Sequence, residues 1–133
     1  MTKATAQLSN YRQSPRKVGL VAGLVRGKRV DEALAVLDMM PKRAALPVAK
    51  LIKSAVANAQ SQGMMKDDLV ISKVTVDKGI VFKRSVPRAR GSMALIRKKA
   101  SHIKLELSAA AAPKAPAKKV AAKKPAKKVA AKK

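Results

Sequence analysis

Between Lys78 and Lys99 the chain places eight bases, Lys78, Lys83, Arg84, Arg88, Arg90, Arg97, Lys98 and Lys99, and not one acid. The chemistry open to such a run is the neutralisation of phosphate. A guanidinium presents a planar fork that matches two phosphate oxygens, and a lysine presents a compact charge. The bland alternative is a solvated charged loop. Eight like charges on a stretch with almost nothing to bury are costly to hold together without a polyanion, so phosphate contact is the stronger reading. Pro87 narrows the backbone freedom lost on binding, and Gly91 lets a backbone approach closely. A second basic group, Arg12, Arg16 and Lys17, brackets Ser14-Pro15, a helix start with Ser as N-cap and Pro at the first helical position. Positive charge in a first helical turn opposes the helix dipole. A phosphate held at that N-terminus removes the conflict, so phosphate contact is preferred here over incidental surface charge.

Other chemistries find no support. The chain has no cysteine and one histidine, His102, which excludes a thiol nucleophile, a disulfide framework and a His-rich metal cluster. Ser101 is the direct neighbour of His102 and falls on the opposite face of a strand, so the two do not form a catalytic pair; His102 reads first as a satisfied strand histidine. No Gly-rich phosphate loop or carboxylate pair is present. An enzyme is rejected, and no cofactor or metal is expected. Lys53-Ser54 and Asn58 read as helix surface, while the small residues Ser54, Ala55, Ala57 and Ala59 suit close packing. Gly19, Gly23 and Gly27 recur every four residues, a spacing that suggests close helix contact in a segment too charged for a membrane motif.

These groups must be carried by a small domain. The chain has 133 residues and a formal charge of +24, which suggests one domain plus whatever does not fold. Thr2 to Tyr11 alternates like a strand. Val18, Leu20, Val21, Leu24 and Val25 follow at near-helical spacing, and Gly27 suits the stop. Asp31 is placed to cap a second short helix carrying Ala33, Leu34, Val36 and Leu37. Pro41 marks the next start, and Leu46, Val48, Leu51, Ile52, Ala55, Val56 and Ala59 form the apolar stripe of a third helix ending near Gly63. Pro47 should remove a backbone bond or bend that helix, unless the helix begins near Pro47 itself. From Leu69 the period changes to two, through Ile71, Val74 and Val76, and a second strand-like run from Ile96 ends with Ile103, Leu105 and Leu107 on one face. Two strands joined through residues 78–99 make an extended hairpin, reaching roughly 33 Å beyond the sheet with about ten residues per arm.

Composition breaks near Ser108. Residues 109–133 contain only Ala, Pro, Lys and Val, with nine Lys, and PAKKVAAKK at Pro116–Lys124 is repeated at Pro125–Lys133. Such a segment cannot offset its ordering entropy and is expected to be disordered when free. It leaves 22 bases against 7 acids in residues 1–108, so the body is basic in its own right. No stretch of about 18 apolar residues exists to form a transmembrane helix, and the N-terminus lacks the apolar core of a signal peptide; a cytoplasmic protein is the simplest expectation.

Several segments, taken in order, resemble one family. Tyr11-Arg12-Gln13-Ser14-Pro15-Arg16-Lys17, Leu24-Val25-Arg26-Gly27 and Ala33-Leu34-Ala35-Val36-Leu37 are similar to the N-terminal half of large-subunit ribosomal protein twenty-two of bacteria. Lys53-Ser54-Ala55-Val56-Ala57-Asn58-Ala59 resembles its third helix. Lys83-Arg84, Pro87-Arg88-Ala89-Arg90-Gly91 and Ser101-His102-Ile103 resemble its hairpin and returning strand. The resemblance covers about residues 5–107. It implies an α+β fold, with three helices packed on a small antiparallel three-stranded sheet, a long protruding β-hairpin and the disordered tail outside the family core. It also implies a body, residues 1–108, bound to large-subunit ribosomal RNA near the tunnel exit. The hairpin residues Phe82, Lys83, Arg84, Pro87, Arg88, Ala89, Arg90 and Gly91 would then line the nascent-peptide tunnel, near the macrolide-binding region.

On this reading the ribosomal-RNA contacts are Arg12, Arg16, Lys17, Lys53, Lys78, Lys83, Arg84, Arg88, Arg90, Arg97, Lys98, Lys99 and His102. The partners are large-subunit ribosomal RNA, neighbouring ribosomal proteins and the nascent peptide, with no membrane and no homo-oligomer. Recognition would go through RNA shape and phosphate, since Tyr11 and Phe82 are the only aromatics and cannot build a stacking platform. Two other classes compete. The Lys-Ala-Pro tail is like that of a linker histone, which would make the chain a DNA-compacting nucleoid protein. A cationic membrane-surface binder needs apolar anchors that the tail lacks.

Overall fold

The computed structural model describes residues 3–109. In chain order these form β1 (Lys3–Tyr11), α1 (Pro15–Val25), α2 (Val30–Asp38), α3 (Ala45–Ser61), β2 (Leu69–Pro87) and β3 (Met93–Ala109). The sheet has the order β1-β3-β2 with both pairings antiparallel, so the last strand lies in the middle. This is the expected α+β arrangement of three helices, a three-stranded antiparallel sheet and a long hairpin. The expected disorder of the repeat tail lies outside the described residues.

Alternation carries the strands into the core. Ala4, Leu69, Ile71, Val74, Ile103, Leu105 and Leu107 are fully buried on one sheet face. Val76 completes the series in β2 as a partly buried neighbour. The step of three between Ile71 and Val74 breaks a strict period of two, and the structure resolves it as a bulge between Ile71 and Lys73. The extra residue, Ser72, turns its hydroxyl to the Glu106 carbonyl at 2.9 Å. A bulge restores the phase of the apolar residues at the cost of one unpaired position.

The helices close over this face with Val18, Val21, Ala22 and Val25 of α1, Val30, Ala33 and Leu37 of α2, and Val48, Ile52, Ala55 and Ala59 of α3. Fully burying a side chain such as Ile52 is worth ~1.5–3 kcal/mol. Residues 18, 21, 22 and 25 occupy one face of α1, which leaves Leu20 and Leu24 on the other, exposed. Leu46, also placed in the apolar stripe by its spacing, is 71% exposed.

Several local expectations need correction. The third helix starts at Ala45, close to Pro47 as the alternative had it and not near Pro41. Pro47 then falls within the first turn, where the backbone N–H has no helical partner to lose, so it removes no bond. Ser14 is the N-cap of α1 and Pro15 its first residue, but the Ser14 side chain makes no capping bond. Asp31 lies inside the first turn of α2 instead of capping it, and pairs with Lys66 at 2.8 Å. Gly27 does end α1, with φ +76. A Cβ at Gly19 or Gly23 would meet nothing within 4 Å, so these glycines do not serve helix packing within the chain.

Both sheet edges are partly covered by groups from the helices. Beside β2, Gly27 N–H donates to the Ile71 carbonyl at 2.9 Å and Ile71 N–H to the Lys28 carbonyl at 3.0 Å, while Arg26 Nη2 donates to the Val74 carbonyl at 2.8 Å. Beside β1, Asn58 Nδ2 donates to the Thr5 carbonyl at 3.0 Å, so Asn58 is more than helix surface.

Beyond the Lys78–Ser101 and Tyr11–Ser101 pairs β1 has ended, and β2 and β3 continue as a two-stranded arm whose pairing runs from Val81–Lys99 to Pro87–Met93. At its root both flanking strands slip register against β3, β1 between Leu8 and Tyr11 and β2 between Lys78 and Val81. His102 sits between the slips. Its Nδ1 accepts the Asn10 N–H at 3.1 Å, and its Nε2 lies 2.9 Å from where a Cβ on Gly79 would be. A side chain at 79 would therefore have to displace the His102 ring from this place. At the tip Arg90 and Gly91 take the left-handed conformation, with φ 57 and 70. A Cβ on Gly91 meets nothing within 4 Å, so within the chain that glycine serves the turn rather than a close contact.

The arm has two strands and none of the buried core residues beyond Ala100. In the free protein, amides of Val81–Val86 and Met93–Lys99 should therefore exchange with solvent faster than those of Ile103–Leu107 by about two orders of magnitude or more. Hydrogen exchange followed by NMR measures this directly; equal protection in arm and core would contradict it.

Candidate nucleic-acid interface

Where β1 runs out, the chain turns through Arg12, Gln13 and Ser14 into α1. A concave elbow of ≈ 720 Å³ opens between the start of that helix and the root of the arm. Arg12, Lys17 and Arg43 line it from the body, Arg84, Arg97, Lys98 and Lys99 from the arm, and Gln13, Ser14 and Phe82 complete it. Seven basic residues thus line one concavity, with no carboxylate among the lining residues. The ion pairs Lys66–Asp31 and Lys73–Glu106 both lie elsewhere. A cleft of one sign against a low-dielectric wall focuses its field and concentrates counter-ions.

Each part of the elbow has a local cause. Arg12 follows the last residue of β1, and its guanidinium lies 5.5 Å from the centre of the Phe82 ring. This contact joins body to arm and is worth ~0.5–1 kcal/mol at such an exposed position. Ser14 and Lys17 lie at the start of α1, where the Ser14 carbonyl accepts the N–H of Lys17 at 3.0 Å and of Val18 at 3.2 Å. The uncommitted Ser14 hydroxyl and the positive end of the helix add to the attraction for an anion. Gln13 Oε1 is buried beside these cations with no hydrogen-bond partner. Tyr11 Oη donates to the Arg43 carbonyl at 3.3 Å, which ties the α2–α3 connection to the end of β1.

Six of the bases read from the sequence, Arg12, Lys17, Arg84, Arg97, Lys98 and Lys99, meet in this elbow together with Phe82. Lys83 lies on the arm directly opposite Arg97, and Lys78 opposite Ser101 at its root. Arg88 and Arg90, with Pro87, Ala89 and Gly91, make the far end of the arm. Arg16 and Lys53 are exposed on α1 and α3 and do not line the elbow. His102 is half-buried at the arm's root, where its Nδ1 accepts the Asn10 N–H. Arg43 was missed: nothing in its local sequence separates it from Lys42, and only the tertiary bond from Tyr11 brings its backbone to this place.

The arm's own design calls for a partner. Like charges directly across a sheet, as Lys83 and Arg97 are, destabilise the pairing. Ile80, Val86, Met93, Leu95 and Ile96 are exposed along the same arm. A polyanion that surrounds it relieves the first and covers the second.

A family model described as Ribosomal protein L22p/L17e matches residues 6–108, which include the elbow and the whole arm. The large ribosomal subunit protein uL22 of Herpetosiphon aurantiacus is 52% identical over 102 residues, 76% of this chain and 90% of the relative. The protein of the same name from Thermoanaerobacter sp. is 52% identical over 102 residues, 76% and 92% of the two chains. That of Desulforamulus reducens is 47% identical over 107 residues, 80% and 95%.

Because the elbow offers charge to phosphate rather than hydrogen bonds to base edges, Arg43→Ala should weaken binding to structured RNA by a similar factor whatever its sequence. It should also lower the slope of log K against log salt by about 0.7–0.9. Filter binding over a salt series measures both, and an unchanged slope would remove Arg43 from the interface.

Proposed function

The chain belongs to the ribosomal protein L22p/L17e family, and from that membership we propose how it acts: the elbow grips large-subunit ribosomal RNA while the arm reaches along the wall of the nascent-peptide tunnel. The protein is a structural constituent of the large subunit of the cytoplasmic ribosome, in a family that is structural rather than catalytic. It works among ribosomal RNA and other ribosomal proteins.

The observation that carries the RNA reading is the gathering of seven cations from three separate stretches of chain, residues 12–17, 43 and 84–99, into one concavity. A body held there would fix the root of the arm, and Arg88 and Arg90 would meet phosphate at the far end. In this reading residues 1–108 are the RNA-binding unit and 109–133 an accessory one, and the exposed apolar residues of the arm would face the passing peptide or the tunnel wall.

Two truncations test the division of labour. Removing residues 110–133 should leave the protein on large subunits in sucrose gradients, since the family match ends at residue 108; loss of co-sedimentation at low salt would overturn this. Deleting Phe82-Lys83-Arg84 removes three residues from one strand only. An odd slip turns the remaining side chains to the opposite face, and it abolishes the Arg12–Phe82 contact. Subunit content should stay near normal while passage of nascent chains changes in a translation-arrest assay. Absence of large subunits would instead make the arm a folding element of the particle.

A further inference from the structure

The outer edge of β1 is a sheet edge with no strand on it among the described residues. In an antiparallel strand the N–H and C=O of one residue point to the same side, and alternate residues point to the same edge. The Thr5 carbonyl is taken by Asn58 Nδ2 at 3.0 Å from α3 rather than by β3. That bond marks Thr5 as an outward residue and gives Gln7, two residues on, the same outward direction. Asn58 occupies the position of one rung of a missing ladder, and the next rung, at Gln7, is vacant.

Beside this edge α3 forms the second wall of a groove. Two adjoining depressions share Gln7 and Ser54 and run along β1, one toward Leu46, Pro47 and Lys50, the other toward Asn58 and Lys104. The end near Leu46 is apolar and exposed; the lysines have no ion-pair partner among the described residues, while the groove's one carboxylate, Glu106, already faces Lys73 at 3.8 Å. An edge strand lying next to a helix is the geometry in which an extended peptide adds as a further strand. The elbow, with its seven cations and no acid, is built for a polyanion. This groove, with main-chain groups, an apolar shelf and two lysines, is not.

We propose that the β1–α3 groove receives an extended segment of another protein, which pairs with β1 at Gln7, seats an apolar side chain against Leu46 and Pro47, and offers a carboxylate to Lys50 or Lys104. The inference rests on the chain's place in the large subunit, where neighbouring proteins are at hand.

The test uses isolated large subunits containing the full chain with a photo-crosslinking phenylalanine derivative at position 46. Leu46 is exposed and contributes nothing to the core, so the change is tolerated. The crosslinked residues are mapped by mass spectrometry and by primer extension on the RNA. The same measurement is repeated with Gln7→Pro, which removes the outward N–H but no bond to β3, and with Gln7→Ala, which keeps it. The expected result is a crosslink to a segment of a different protein, at least tenfold weaker with Gln7→Pro and unchanged with Gln7→Ala. A crosslink to RNA or to a second copy of this chain overturns the inference, as does a protein crosslink indifferent to Gln7→Pro. Absence of the unaltered chain from the subunits would contradict the ribosomal reading itself, and this inference with it.

Discussion

The pairing of β2 with β3 is the constraint on which the rest of the structure depends. Over Leu69–Lys78 and Ser101–Ala109 that pairing is part of a three-stranded sheet, and the helices fill its inner face. Beyond Ser101 the same two strands go on without β1 and without a core. The arm is therefore not a separate module on a linker. Its direction is set by the strands of the body, adjusted at one level by the two register slips around His102. A rigid body and a projecting reader are made from one piece of chain, and the concave elbow is the unavoidable angle between them.

Charge is distributed to match that division. The body carries all seven acids of the chain, with Asp31 paired to Lys66 and Glu106 to Lys73, and a continuous apolar interior that tolerates its net charge. The arm has no acid between Lys78 and Lys99 and sets Lys83 against Arg97. Within the isolated chain this is a local conflict between sequence and fold. Such conflicts are expected where a protein is shaped for something outside itself. Here the missing compensation is negative charge, and the shape of the elbow says where it sits.

The elements were legible because their periods were long and clean. Ile103, Leu105 and Leu107 announce a strand, and the α3 stripe announces a helix whose members Val48, Ile52, Ala55, Val56 and Ala59 are indeed buried. What spacing could not decide was which side of a helix meets the sheet when both sides carry leucine, hence Leu20, Leu24 and Leu46 on the outside. Nor could it place groups that depend on distant parts of the chain. Arg43 reaches the elbow region through Tyr11, and Asn58 reaches the edge of β1 across 53 residues of sequence. The basic stretch was visible as composition; its joining with Arg12 and Lys17 into one cleft is a property of the folded chain alone.

The central position of β3 has a consequence for biosynthesis. Residues 3–8 find their partners at 103–108, so the first strand made pairs with the last. Closing so long a loop is slow relative to local contacts, and it cannot begin until almost the entire polypeptide has left the machine that makes it. Until then the helices can dock on β2, but the sheet face that Leu69, Ile71 and Val74 share with β3 lacks its central strand. A chain of this topology emerges with its stickiest surface waiting for residues 103–108, which places a premium on early shielding of the N-terminal two-thirds by a chaperone or by nascent RNA.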